Sequence, residues 1–264
     1  MSTSSMQGWQ TGISEVVSDG SDEEVIVRGH RLSDLVGSIG FAEMMFLLLA
    51  GRLPTPAQAR VLDALMVASM EHGIAPPSMI SRCFASYGTT IQAAMAGGIL
   101  AFGDIMGGAG EQFARLLAEA VQGGGETADA TLAAKARDIV AAARQQSARI
   151  PGFGIPLHGA DPRAPKMLAV ARAEDIHGPH CRLAELIEAE LAAAGRAVPM
   201  NLDGVSAAVI LDLGFPWQAT RLFLLTPRSV SMAAHFLEEQ GQQTRWRHLP
   251  ADEIDYTGPQ PDAG

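Results

Sequence analysis

The 264-residue chain has little charge, few aromatic residues and almost no cysteine. Charged residues make up 18% and aromatics 5%, against 47% apolar residues. With so few rings, Ala, Leu, Met and Gly must fill the interior. That composition favours helices packed closely on one another over sheets. The two cysteines, Cys83 and Cys181, have neither metal-site spacing nor the density of a disulfide framework. We read both as buried thiols rather than nucleophiles, and we expect no metal. Positive charge is short as well: 19 Lys and Arg stand against 29 Asp and Glu, for a net charge of −10. Such a surface excludes attraction to nucleic acid or an anionic membrane. A polyanionic ligand would need a local cluster of cations. Long apolar runs are missing too. Met44–Ala50 and Ala93–Phe102 are too short or too broken by Gly to span a bilayer. Met1–Gln10 is polar, with no apolar signal core. From these absences we expect a cytoplasmic protein.

What is present is helical periodicity punctuated by Gly and Pro. Ile13–Val17 and Glu24–Val27, around an acidic Asp19-Gly20-Ser21-Asp22 turn, predict a small hairpin. Helices are then expected over Arg31–Val36, Gly40–Ala50, Pro56 to about His72, Ser78–Ala85, Thr89–Phe102 and Glu111–Val121. Five more follow, over Thr131–Gln146, Pro162–Ala173, Cys181–Ala194, Leu202–Leu213 and Gln218–Gln240. Thr55 is placed to cap the third, with Pro56 at its first position, and Ser78 to cap the fourth. Ala93, Ala94, Ala96, Gly97 and Gly98 form a small-residue helix that lets a neighbouring backbone approach. The expected fold is therefore all-α. Three loops carry unusual chemistry: Glu71–Arg82, Ile150–Arg163 and Val198–Gly204. Polar groups at helix ends facing a cleft are where ligands bind.

The order and spacing of these segments carry a resemblance. They are Gly29-His30-Arg31-Leu32, Leu49-Ala50-Gly51-Arg52-Leu53-Pro54, Glu71-His72-Gly73, Gly103-Asp104-Ile105-Met106-Gly107-Gly108-Ala109, Pro151-Gly152-Phe153-Gly154 with Asp161-Pro162-Arg163-Ala164, Pro199-Met200-Asn201-Leu202-Asp203-Gly204, and Pro227-Arg228-Ser229. From about Gly29 to Gly258 the chain resembles the citrate synthase superfamily, and within it the short citryl-CoA lyase-like branch.

The resemblance implies a two-lobed helical homodimer with the site in a cleft between lobes. The expected layout is an N-terminal lead (1–21), a large helical domain (22–109 with 216–250), a smaller inserted domain (110–215) and a C-terminal tail (251–264). It implies coenzyme A, as an acyl-CoA substrate or product, and a small carboxylic or keto acid. In the family an Asp removes the α-proton of an acyl-CoA, two His assist, and Arg residues clamp carboxylates. Carried over, the base falls on Asp203, substrate binding on His72, Arg163 and Arg228, and the CoA-lining loop on Gly152, Phe153 and Gly154. Arg247 or Arg245 would reach a partner subunit's site. The two histidine positions fall on Met106 and Ile155, neither of which can donate a strong hydrogen bond or move a proton. His158, three residues past Ile155, is the candidate substitute.

Each residue has a plainer reading beside this one. Asp203 can be a carboxylate favoured by a helix N-terminus. Arg163, in a first turn, opposes the dipole and so needs an anion nearby. Arg228 can be a structural ion pair, His72 a helix C-cap and His158 an exposed loop residue. Met106 and Ile155 can be apolar packing or the trace of a lost activity. Three functions follow. The first is carbon–carbon cleavage or synthesis on a CoA thioester, of citryl-CoA lyase type. The second is a different reaction of an acyl-CoA on the same scaffold, such as decarboxylation, hydration or ring opening. The third is a non-catalytic homologue that binds CoA esters.

Overall fold

A computed structural model describes residues 8–121, 128–154, 161–195 and 197–260. Among these residues the architecture is eleven α-helices and one three-stranded antiparallel sheet, as the composition requires. The strands are β1 (Ser14–Ser18), β2 (Glu23–Val27) and β3 (His30–Arg31). The hairpin pairs Ser14 with Val27 and Ser18 with Glu23. Its turn is closed by the Asp19 carboxylate, which accepts the Ser21 N–H at 2.9 Å and the Asp22 N–H at 3.0 Å. The helices are α1 (Leu32–Leu35), α2 (Phe41–Ala50), α3 (Pro56–Ser69), α4 (Pro76–Ser86), α5 (Ile91–Leu100), α6 (Ala109–Val121), α7 (Asp129–Gln145), α8 (Arg163–Ala173), α9 (Pro179–Ala193), α10 (Leu202–Asp212) and α11 (Thr220–Gly241). None of the described helices is long and apolar enough to cross a membrane.

The described chain divides into two compact units. One comprises the residues up to Ser69 with Gly107–Leu224; the other comprises Met70–Met106 with the residues from Leu225 on. These boundaries cut α11 and group the N-terminal helices with α6–α10, whereas the expected domains broke at 109/110 and 215/216.

In the first unit the core is organised around α10. Its residues from Val205 to Ile210, Ser206 excepted, are fully or almost fully buried. A helix that is apolar on every side must be surrounded by others. Here α10 packs on α6, α8 and α9. The start of α9 is fastened to the far end of α10 by one carboxylate. Asp212, whose side chain is buried, accepts the N–H groups of Gly178 (2.9 Å), His180 (3.1 Å) and Cys181 (2.9 Å), and contacts His180 Nδ1 at 2.7 Å. Those N–H groups are the ones a helix start leaves unsatisfied. Cys181 is buried there, and burial, with the Asp212 charge, pushes its thiol well above the ordinary range. Such a thiol is inert.

In the second unit, the small residues of α5 admit close neighbours. A Cβ on Gly97 would lie 2.7 Å from the Phe84 ring of α4, and one on Gly98 would lie 2.5 Å from Met232 Sδ of α11. Two helix starts test the capping expectations. Thr55 does cap α3: its Oγ1 accepts the Gln58 N–H at 3.2 Å while Gln58 Oε1 accepts the Thr55 N–H at 3.0 Å. Ser78 does not begin α4. The helix starts two residues earlier, with Pro76 and Pro77 in its first turn. Proline costs nothing there because its missing N–H would have had no partner. Ser78 instead sits one turn in, and its Oγ accepts the Ala75 N–H at 2.8 Å.

Candidate active site

Asp203 lies in the first turn of α10, half-buried. Asn201 caps that helix by accepting the Gly204 N–H at 3.1 Å. The loop that delivers Asp203 is bound backbone to backbone to the Pro151–Gly154 loop. The Gly154 N–H donates to Pro199 O at 2.8 Å and the Asn201 N–H to Gly152 O at 3.0 Å. Asn201 Nδ2 reaches Gly154 O at 2.8 Å, and Phe153 bridges to Met200. The two glycines are the contact. Gly152 has φ +84°, and a Cβ on it would stand 2.7 Å from Gly204 Cα; a Cβ on Gly204 would be driven into the Gly152 carbonyl. Met200 fixes the same loop to α9 through its N–H to Glu188 at 2.7 Å. Gly152, Phe153 and Gly154 thus form the platform under Asp203.

A third glycine supplies the other wall. A Cβ on Gly110, in the first turn of α6, would touch Asp203 O at 3.5 Å, Asp203 Cβ at 3.7 Å and Thr220 Cγ2 at 3.6 Å. Next to this point, Glu111 and Arg221 form an ion pair at 2.7 Å (Oε2–Nε). Asp203, Gly107, Glu111, Thr220 and Arg221 all line one small cavity of about 20 Å³.

Arg163 opens α8, and the anion that its position demanded is Asp161. The carboxylate receives the guanidinium along one edge (Nε–Oδ1 2.9 Å, Nη2–Oδ2 2.8 Å) and the Arg163 backbone N–H at 3.0 Å. Arg163 Nη1 donates to Ala68 O at 3.3 Å. Asp161 is 5% exposed. Burial pushes its carboxyl up, but the hydrogen bonds from Arg163 and from the Leu202 N–H outweigh burial and hold it below the usual range. The Leu202 bond, 3.1 Å to Oδ2, ties the start of α8 to the start of α10. Asp161 therefore orients Arg163 and anchors the helix of Asp203 together. Its role was not read from sequence, although an Arg in a first turn with an Asp two residues earlier was the available signal.

His72, Arg228, Arg247 and Met106 lie in the second unit. His72 is exposed, three residues past the end of α3, so it does not cap that helix. Its backbone is fixed by Glu71, whose carboxylate accepts the N–H groups of His72 (2.8 Å) and Gly73 (2.6 Å) and the Ser231 hydroxyl. His235 Nε2 also reaches Glu71, at 3.4 Å. Burial raises the Glu71 carboxyl, yet these bonds keep it below its ordinary value. Arg82 Nη1 lies 3.2 Å from His235 Nδ1.

Arg247 is paired with Glu239, at 2.5 Å and 3.1 Å. Glu239 is fully buried and also holds Arg82 at 2.6 Å. Arg228 lies within α11, next to Pro227. Met106 is half-buried, and its carbonyl closes a turn with the Gly103 N–H at 2.9 Å. Ile155 and His158 lie outside the described residues.

These features mark a citrate-synthase type of architecture, and comparison with known proteins agrees. The family model for citrate synthase, C-terminal domain, matches residues 54–249. The chain belongs to the citrate synthase family. It is 33% identical to the citryl-CoA lyase of Hydrogenobacter thermophilus, whose solved structure superposes with a TM-score of 0.85 over 96% of each chain. It is 30% identical over 217 residues to putative citrate synthase 2 of Mycobacterium tuberculosis, covering 79% of this chain and 54% of that protein. The fold is shared with ATP citrate lyase of Methanothrix soehngenii, solved in complex with citrate and coenzyme A. That match has 21% identity and a TM-score of 0.79, and covers 98% of this chain and 43% of that one. The chain spans about half the length of the curated relatives it matches.

Proposed function

We propose that the protein is a carbon–carbon lyase or synthase acting on a CoA thioester, of citryl-CoA lyase type. In the cleavage direction a 3-hydroxy-acyl-CoA breaks at the bond between its α- and β-carbons. The α-carbon leaves as a thioester enolate and takes a proton from Asp203. The β-carbon becomes the carbonyl of a keto acid. Arg163 binds a carboxylate of that acid, and His72, Arg228 and Arg247 are carried into the same role by family resemblance. The backbone of Gly152–Gly154 lines the CoA, and His158 handles the proton on the departing oxygen.

The observation that carries the reading is the backbone-locked placement of Asp203 on the Gly152–Gly154 platform. An α-proton of a thioester is so weakly acidic that the base must be positioned before it is useful. The likeness over 96% of both chains to a citryl-CoA lyase supports this reaction above others of the family. Purified protein given citryl-CoA should release a shorter acyl-CoA and a keto acid, and Asp203→Asn should reduce the rate by 10³-fold or more, on the order expected for loss of a positioned base. Absence of turnover with citryl-CoA and related 3-hydroxy-acyl-CoAs would reject the reading.

A second reading is favoured by Met106, which offers no donor where the family resemblance puts a histidine. It is a different reaction of a less polar acyl-CoA, recognised by turnover of a thioester that lacks the tricarboxylate pattern. CoA binding in calorimetry with no thioester consumed would instead mark a non-catalytic homologue.

A further inference from the structure

The cavity beside Asp203 contains a hydroxyl that the fold leaves unused. Thr220, at the start of α11, is 4% exposed. Its Oγ1 is buried and has no hydrogen-bond partner among the described residues. A buried hydroxyl without a partner is costly to a fold, and valine would fill the same volume without that cost. Thr220 lines the same cavity as Asp203. Gly110 holds the two close, since its missing Cβ would contact both side chains at under 4 Å. A cavity of about 20 Å³ has room for one oxygen-sized group, because a single water needs roughly 10–15 Å³ by this measure. A carboxylate residue and a residue with an unpartnered hydroxyl thus line one space that fits one oxygen.

We infer that Thr220 is the hydrogen-bond donor to the thioester oxygen of the acyl-CoA on which Asp203 acts. This rests on the Asp203 reading above and supplies what Met106 lacks. When Asp203 takes the α-proton, the C–H electron pair forms the C=C bond of the enolate. The former carbonyl π pair then moves onto the oxygen. The Thr220 O–H donates to that oxygen and keeps its own proton. In the cleavage direction the same enolate forms from the broken carbon–carbon bond and is protonated at carbon by Asp203. The Glu111–Arg221 ion pair, neutral as a whole, lies in the same wall.

The test uses the full-length protein and four forms: wild type, Asp203→Asn, Thr220→Val and Thr220→Ser. Two rates are read: acyl-CoA release from citryl-CoA, and deuterium uptake at the α-carbon of acetyl-CoA in D₂O. CoA affinity is followed by calorimetry. Thr220→Val should lower the Asp203-dependent rate about 100-fold, the scale of losing one oxyanion donor. It should leave CoA affinity unchanged and should not lower the melting temperature. Thr220→Ser, which restores the hydroxyl, should recover most of the rate. A purely structural Thr220 would give a Thr220→Val protein at wild-type rate, or a Thr220→Ser protein as slow as Thr220→Val. Either result overturns the inference while the Asp203 reading stands. A wild-type protein that neither cleaves citryl-CoA nor exchanges deuterium overturns both.

Discussion

At the scale of single residues, the site is built from what glycine omits. Three glycines make the contact: a Cβ on Gly152 or Gly110 would collide with or touch the Asp203 segment, and one on Gly204 would strike the Gly152 carbonyl. Gly204→Ala should be among the most damaging small substitutions in the protein. The new methyl would meet the carbonyl that accepts the Asn201 N–H, so the platform must part. A loss of about 2–4 kcal/mol is expected, read as a lower denaturant midpoint. Gly110→Ala, at ordinary contact distance, should fold normally, and differential scanning calorimetry separates the two. Asp161 is the second residue of consequence. Asp161→Asn leaves Arg163 without its counter-charge and costs about 2–3 kcal/mol. It should also raise the KM of the acid substrate more than it lowers kcat.

The elements are held by carboxylates at helix ends, and these set the pH response. The Asp161 and Glu239 carboxyls both have folded-state values below their ordinary ones. Burial raises each, and hydrogen bonds and arginine charge outweigh it: from Arg163 for Asp161, from Arg247 and Arg82 for Glu239. A depressed carboxyl contributes stability that is fully present above its unfolded value and lost as pH falls through the folded one. Unfolding free energy should therefore be flat near neutrality and fall below about pH 4.5. Asp161→Asn should shallow that acid limb. At α9 the contribution is geometric. Asp212→Ala strips the acceptor from three backbone N–H groups and should cost about 3 kcal/mol. Hydrogen exchange should speed up first at residues 178–181. If it speeds uniformly across the unit, the capping account is wrong.

For the molecule as a whole, family resemblance leads us to propose a homodimer. Sedimentation should then give twice the chain mass at micromolar concentration, and a monomer at that concentration would remove the proposed role of Arg247 in a partner's site. Within the chain, Arg247 is held by Glu239, so such a role needs that pair to open. The helices were legible from apolar periodicity and from Thr55 at the start of α3. Their ends were less so: α3 stops at Ser69 and α4 begins at Pro76, because proline in a first turn reads in sequence as a break.

The sequence by itself determined the class of the fold and singled out Asp203 as the proposed base. Composition dictates helices packed through small residues, and the order of the Gly- and Pro-bearing loops carries the family. Local chemistry suffices for both. The tertiary structure alone decided which groups meet. That Asp161 neutralises Arg163 while holding Leu202, that Glu239 captures Arg82 and Arg247, and that Thr220 keeps an unused hydroxyl beside Asp203 are contacts between segments up to about 160 residues apart. No periodicity encodes them. They follow from burial, which forces buried polar groups to find partners; the Thr220 hydroxyl has none among the described residues.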